Sequence, residues 1–229
     1  MNPFFQIRDL FYPRLCAACE HTLQSYEEYV CIKCIFRLPK LEGKTQVDVH
    51  LLDKKFWGKI PVKFTRSFLP FSKSGHVQNI LHQIKYQNQP HLAVFMGKWF
   101  GEMLKKEGFE NETDLIVGIP LHIRKKKERG YNQADLFAKG LSESLDVPFD
   151  SELLIRSEYT ETQTKKSRYK RFENMEKVFH VKFPERLEKK RVCLVDDVLT
   201  TGATLETAGN ELLKNGAKEL SIVTIASAL

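Results

Sequence analysis

No stretch of the chain approaches the ~20 consecutive apolar residues that a membrane-spanning helix requires. The longest candidates, Leu115 to Ile119 and Ile222 to Leu229, are short or are interrupted by Thr224 and Ser227. A spanning helix is excluded at this level, and a soluble protein is the expectation. The first residues also lack the continuous apolar core of a secretory signal, because Arg8, Asp9 and Arg14 break it up. A cytoplasmic location with reduced thiols follows as the expectation. Extreme charge is missing too: 36 Lys and Arg against 29 Asp and Glu leave a net charge of +7, basic without being a polycation. Nor is there a disordered bias, since 42% of the 229 residues are hydrophobic, 11% aromatic and 28% charged. A chain of this length buries about 70% of the surface its unfolded form exposes. It has room for one domain, or for one domain and a small module.

Cysteine is scarce outside one place. Four of the five cysteines lie between Cys16 and Cys34, and Cys193 stands alone. The four read Cys16-Ala17-Ala18-Cys19 and, after eleven intervening residues, Cys31-Ile32-Lys33-Cys34. Two CxxC turns, each aiming two thiolates at one point, make the closed tetrahedral set of structural zinc, with no open position for catalysis. Competing readings are a disulfide pair, which a reducing compartment disfavours, a redox CxxC, which needs only one such pair at a helix start, and chance. His21 lies within the loop, but four cysteines already fill the site, so it reads as a solvated histidine.

Beyond the knuckles the pattern changes. Leu38 to Lys63 carries Pro39, Gly43, Gly58 and Pro61 with no sustained period, and reads as a connection with one short helix near Leu51 to Trp57. This places the boundary between an N-terminal zinc module and linker, residues 1–60, and a second domain, residues 61–229. Val62 to Phe71 reads as a strand pair or as a strand and turn. Apolar residues at helical spacing predict amphipathic helices over Val77 to Tyr86 and Leu92 to Leu104, the aromatic stripe of the second belonging to the core. From residue 114 strands and helices alternate: a strand over Leu115 to Ile119, a helix over Gln133 to Leu145 capped by Asn132, a strand over Val192 to Val195, a helix over Thr204 to Lys214 closed by Asn215-Gly216, and a strand over Leu220 to Ala226. Continuous apolar strands alternating with helices predict an α/β fold, a parallel sheet covered on both faces. Ligands of such sheets bind beyond the carboxyl ends of the strands.

Two segments occupy those ends. After Val195 come Asp196 and Asp197, then Val198, Leu199, Thr200, Thr201, Gly202, Ala203 and Thr204 before the helix. Adjacent carboxylates repel each other, and a sugar diol, a metal ion or a cationic partner would reward their pairing. The turn that follows offers three hydroxyls and backbone N–H groups at a helix N-terminus, a phosphate site by hydrogen bonding and dipole, with Gly202 allowing close approach. Val195 to Thr204 resembles the phosphoribosyl pyrophosphate (PRPP) motif of type I phosphoribosyltransferases. Gly118-Ile119-Pro120-Leu121, then Arg129-Gly130-Tyr131-Asn132-Gln133, Gln163, Arg168 and Asn174, together with the double CxxC, are similar to the ComF family of competence-associated proteins, which includes GntX-type members. The resemblance spans essentially the whole chain. Tyr131 stands where many members have Phe, a change expected to alter little.

The resemblance implies a type I phosphoribosyltransferase-like domain in which Asp196 and Asp197 hold the ribose hydroxyls and Thr200, Thr201, Gly202, Ala203 and Thr204 wrap the 5′-phosphate. Gly118, Ile119, Pro120 and Leu121 would form the pyrophosphate loop, and Mg²⁺ would accompany PRPP. Charge placement agrees. Arg124, Lys125, Lys126, Lys127 and Arg129 put five cations in six positions, and Lys165, Lys166, Arg168, Lys170 and Arg171 form a second cluster. Charge runs also occur as solvated faces, so Arg129 and Arg168, which lie within the family-like strings, are the better candidates. No residue identifies an acceptor. A second function from a different class is a PRPP- or nucleotide-binding accessory protein that binds incoming single-stranded DNA and other competence proteins without turnover. Tyr131, Tyr159, Tyr169 and Phe172 offer faces for base stacking, though core packing or capping explains them equally well. A structural α/β protein that kept the motif by descent is the third reading.

Overall fold

The computed structural model describes residues 13–41, 51–72, 75–157 and 178–228. Its centre is a four-stranded parallel sheet of β1 (Thr65–Pro70), β2 (Leu115–Gly118), β5 (Arg191–Leu199) and β6 (Glu219–Ser227), in the order β1-β6-β5-β2. β5 is apolar because both its faces are covered. Cys193 and Val195 lie in one buried cluster with Ile116, Met96, Phe137 and Leu141, whereas Val192 and Leu194 lie in another with Leu205, Ala208 and Leu212. Helices α2 (His76–Tyr86), α3 (Pro90–Lys105) and α5 (Gln133–Leu145) belong to the first face, and α6 (Ala203–Lys214) to the second. The shorter elements are α1 (Ile32–Arg37), α4 (Ile123–Arg129) and an antiparallel pair, β3 (Leu154–Arg156) with β4 (Phe179–Val181).

The helices and strands expected from periodicity are present, with three differences. Val62 to Phe71 holds a single strand, β1, which joins the far edge of the sheet by pairing in parallel with β6, Thr65 opposite Ile222 and Pro70 opposite Ser227. No short-range pattern announces a partner more than 150 residues away. β5 continues to Leu199 instead of ending at Val195, because β6 still supplies a ladder there, Asp196 opposite Thr224 and Leu199 opposite Ser227. The two aspartates therefore sit on rigid strand, and the loop proper begins at Thr200. Near Leu51 to Trp57, residues 51–54 are helical and residues 55–59 form turns.

Two contacts set the layer spacing on the first face. Gly97 of α3 meets Gly140 of α5 so closely that a Cβ on Gly97 would lie 2.2 Å from the Phe137 carbonyl oxygen, and one on Gly140 2.2 Å from that of Val94. At the bottom of the sheet Arg191 grips Asp114 with two guanidinium N–H groups, at 3.0 and 2.7 Å, and with its backbone N–H at 2.9 Å. Arg191 holds the Asp114 carboxyl well below the usual carboxylate range.

The N-terminal knuckles dock on α2 and α3. Cys16, Ala17, Ala18, Cys31 and Cys34 share the first cluster with Val77, Ile80, Leu81 and Ile84, and the Tyr29 ring lies 5.4 Å from that of Phe95. Leu52, Phe56 and Ile60 pack instead in the second cluster, against Leu199 and Leu205. Among the described residues no helix is long and apolar enough to cross a membrane.

Candidate functional site

The loops that leave β2 and β5 open into one cleft of about 180 Å³, lined by Ile119, Pro120 and Leu121 on one side and by Asp196, Asp197 and Thr204 on the other. The alignment of β2 with β5, Gly118 opposite Val195, makes this juxtaposition unavoidable. The Ile119 N–H donates to the Val195 carbonyl at 2.8 Å, and the Asn132 side chain donates to the Ile119 carbonyl at 3.0 Å while accepting from the Ala134 N–H at 3.3 Å. Asn132 thus caps α5, as its type predicts, and anchors the loop after β2. Gly118 is buried behind the cleft rather than lining it, and a Cβ there would fall 2.3 Å from an Asp135 carboxylate oxygen. Burial pushes the Asp135 carboxyl up to about 6.

Side chains from three further elements enter the cleft. Lys125 and Arg129 come from α4, Arg156 from β3 and Lys85 from the end of α2. Arg129 is fixed in two ways: its guanidinium donates to the Gln133 side-chain carbonyl at 2.8 Å and lies 5.2 Å from the centre of the Tyr86 ring. Lys85 pairs with Asp197 at 3.0 Å. Asp196 accepts the Asp197 backbone N–H at 2.8 Å. Burial, followed by the neighbouring Asp197 charge, raises the Asp196 carboxyl to about 7, against the opposing pull of that N–H, Lys85 and Arg156. The cleft therefore opposes four cations to two carboxylates, an arrangement suited to a ligand with an anionic end and a hydroxylated one.

Below it a small hollow is lined by Asp196, Val198 and the loop from Leu199 to Leu205. Thr200, Thr201, Ala203 and Thr204 are exposed and Gly202 is buried. Gly202 has a φ of +83°, and a Cβ on it would come 2.9 Å from the Phe56 ring. Lys55 donates to the Thr200 carbonyl at 3.0 Å. The twelve-residue helix α6 begins directly at this loop, and the Ala203 N–H in its first turn donates to the Thr201 hydroxyl at 3.4 Å.

Of the residues expected at the site, Ile119, Pro120, Leu121, Arg129, Asp196, Asp197 and Thr204 meet in the cleft, and Thr200, Thr201, Gly202 and Ala203 complete the adjoining hollow. Arg124, Lys126 and Lys127 are exposed on α4 and do not line the cleft. Gln163, Arg168 and Asn174, the cluster from Lys165 to Arg171, and Tyr159, Tyr169 and Phe172 lie outside the described residues. The Tyr131 hydroxyl does alter something: it donates to the Ile84 carbonyl at 2.7 Å and ties the end of α2 to the start of α5, a bond Phe cannot make. Lys85, Arg156, Lys55 and Phe56 were not expected. A lysine in the last turn of an amphipathic helix reads as a complement to the helix dipole, and nothing in the sequence marks the other three.

The four N-terminal cysteines form a second centre. Their Sγ atoms all lie within 4.8 Å of one another, and those of Cys19 and Cys31 are 3.7 Å apart. Zinc–sulfur bonds of about 2.3 Å in a tetrahedron give sulfur–sulfur edges of about 3.8 Å, so the set fits such an ion. At Cys16 burial opposes ionisation, but the backbone N–H groups of Cys19, Cys31 and Ala18 outweigh it and bring the thiol down to about 7. His21 turns its Nδ1 to the Cys19 carbonyl, 3.1 Å away.

Residues 132–229 match the model of the Phosphoribosyl transferase domain family. The chain is 31% identical over 148 residues to the DNA utilization protein YhgH of Escherichia coli (strain K12), a match covering 62% of this chain and 63% of that protein. It is 29% identical over 218 residues to Competence protein F of Haemophilus influenzae, covering 93% and 84% of the two chains. With Competence protein ComFC of Bacillus subtilis the identity is 27% over 210 residues, covering 89% and 79%. The match to the Escherichia coli relative thus spans less than two thirds of that protein's length.

Proposed function

We propose, on the matches to a phosphoribosyl transferase domain and to competence and DNA utilization proteins, that the chain is a phosphoribosyltransferase-like member of the ComF family that binds PRPP with Mg²⁺ in the cleft and transfers the phosphoribosyl group to an acceptor. One observation carries the reading: the segment Ile119 to Leu121 and Arg129 face Asp196, Asp197 and Thr204 across a single opening. In this reading Asp196 and Asp197 accept hydrogen bonds from the ribose hydroxyls, and Thr200 to Thr204 with the start of α6 hold the 5′-phosphate. Gly118 to Leu121 form the pyrophosphate loop, while Arg129 and Lys125, joined by Arg168 on the family resemblance, stabilise the departing anion. As the anomeric bond breaks, positive charge develops at the sugar carbon and negative charge on the leaving group. The cleft already presents charge of the opposite sign to each end, with little left to reorganise. Magnesium, which needs only one or two protein carboxylates beside substrate phosphates, fits next to this aspartate pair and would neutralise the pyrophosphate. The reading divides the chain into a zinc module and linker, residues 1–60, and a transferase domain, residues 61–229, with Zn²⁺ held by Cys16, Cys19, Cys31 and Cys34 as a structural ion. It places the protein in the cytoplasm. Release of pyrophosphate from PRPP when free bases are offered tests the transferase directly.

The relatives' names, DNA utilization protein and Competence protein F, connect this chemistry to DNA uptake. A second reading follows from the exposed cations Arg124, Lys126 and Lys127 outside the cleft: an accessory protein that binds PRPP without consuming it and binds single-stranded DNA, alongside other competence proteins. Neutralising about five phosphates through the clusters Arg124 to Arg129 and Lys165 to Arg171 gives a slope near −3.5 for log K against log salt. An anisotropy titration showing that slope, flattened on replacing Lys125, Lys126 and Lys127 together, supports DNA binding. An unchanged slope returns Lys126 and Lys127 to the solvated surface and leaves Lys125 to the cleft.

A further inference from the structure

Successive residues of a strand point to opposite faces of its sheet. In β5, Asp196 also lines the hollow beside the loop that starts α6, whereas Asp197 meets Lys85 of α2. The two carboxylates thus have different neighbours, and the neighbour of Asp197 is Lys85, 3.0 Å away, with the two side chains 21% and 19% exposed. The helix that carries Lys85 is tied down at three points, two of them in its last turn. Asn79 donates to the Ala18 carbonyl at 2.9 Å and Gln83 to the Ala17 carbonyl at 3.4 Å, both in the first CxxC turn. Next to Gln83, the Ile84 carbonyl accepts from the Tyr131 hydroxyl at 2.7 Å.

We propose that Lys85 is a positioning residue of the ribose site, its ammonium pairing with and aiming Asp197, and that α2 sets its place by bridging the first CxxC turn to the loop after α4. This rests on the reading that Asp196 and Asp197 receive the ribose hydroxyls. A carboxylate has acceptor sites to spare after one hydrogen bond from Lys85, so the pair does not block a sugar hydroxyl, and the ammonium keeps two further donors. Without Lys85, Asp197 loses its fixed partner and adjoins Asp196 with less positive charge to separate them. The first CxxC turn, remote in sequence from the cleft, thereby reaches Asp197 through α2 and Lys85.

The test is calorimetric titration of the full chain with PRPP and Mg²⁺, in the wild type, Lys85→Met, Lys85→Arg, Asp197→Asn and the double variant Lys85→Met/Asp197→Asn. Loss of a hydrogen bond to a charged group predicts binding about tenfold weaker or more in Lys85→Met, with Lys85→Arg within about threefold of wild type because it keeps the charge and donors. Adding Lys85→Met to Asp197→Asn should cost less than about threefold more, since Lys85 acts through Asp197 and the two effects are not additive. A merely structural role gives multiplicative losses and no rescue by arginine. Lys85→Met binding as tightly as wild type, or more tightly, overturns the proposal. If Lys85→Met does not fold, the comparison of Lys85→Arg with wild type and with Lys85→Gln decides it: equal binding in all three overturns it, and loss confined to Lys85→Gln upholds it. Absence of binding in the wild type instead overturns the ribose-site reading, and this proposal with it.

Discussion

At the scale of single residues the site is assembled from groups that are uncomfortable alone. Asp196 is raised to about 7 by burial and by its neighbour. A folded-state value above the ordinary carboxylate range means that the folded protein binds its proton more tightly than the unfolded chain. Its contribution to stability therefore falls as pH rises from about 4 to about 7, and above that the ionised group opposes folding. Asp196→Asn, which keeps an oxygen for the Asp197 N–H, should raise the melting temperature at pH 8 while weakening PRPP binding; a lowered melting temperature at that pH would contradict the assignment of the carboxylate to ligand binding at the cost of stability. Gly202 is a second such residue. Its left-handed backbone costs any other residue roughly 1–2 kcal/mol, and an added Cβ meets Phe56 at 2.9 Å. Gly202→Ala should weaken binding of Mg²⁺-PRPP about tenfold or more, the measure being calorimetric affinity, and unchanged affinity would detach the phosphate role from this loop.

Among the elements, α3 and α5 are held at a separation only glycine permits. Gly140→Ala gains up to about 1 kcal/mol in helix propensity, but its Cβ would sit 2.2 Å from the Val94 carbonyl oxygen. Backbone has to move, and overpacking of this kind costs typically ~1–3 kcal/mol, so the clash wins: urea denaturation should show net destabilisation. The helices were readable in the sequence because each carries its own period, as α5 does in Ala134, Phe137, Leu141 and Leu145, and the central strands because each holds a continuous apolar run. The aspartate and threonine string was readable because nine consecutive residues carry its chemistry. What was not readable depends on distant chain. β1 is defined by pairing with β6, and β5 runs on through Asp197 because β6 is there to receive it. Lys85 and Arg156 reach the cleft only because α2 and β3 are folded back toward it, and neither has a local signature. Phe56, in a segment that reads as linker, packs behind Gly202 for the same reason.

For the whole molecule, the cysteine knuckles and the sheet share one buried cluster, so loss of a metal at the knuckles should be felt beyond them. Structural zinc contributes on the order of 10–16 kcal/mol in apparent binding energy at such sites. Elemental analysis should find one zinc per chain, and Cys16→Ser should lose it, with the melting transition broadened or lowered. Less than about half an equivalent in freshly purified wild type would count against the zinc assignment. The measurement that bears most directly on the central claim is titration of the wild type and Asp197→Asn with PRPP and Mg²⁺ in a calorimeter. The account predicts saturable heat for the wild type and binding weaker by roughly tenfold or more for the variant, from the loss of a charge-assisted acceptor. No heat from the wild type at millimolar PRPP, or equal affinity in the two proteins, would contradict it.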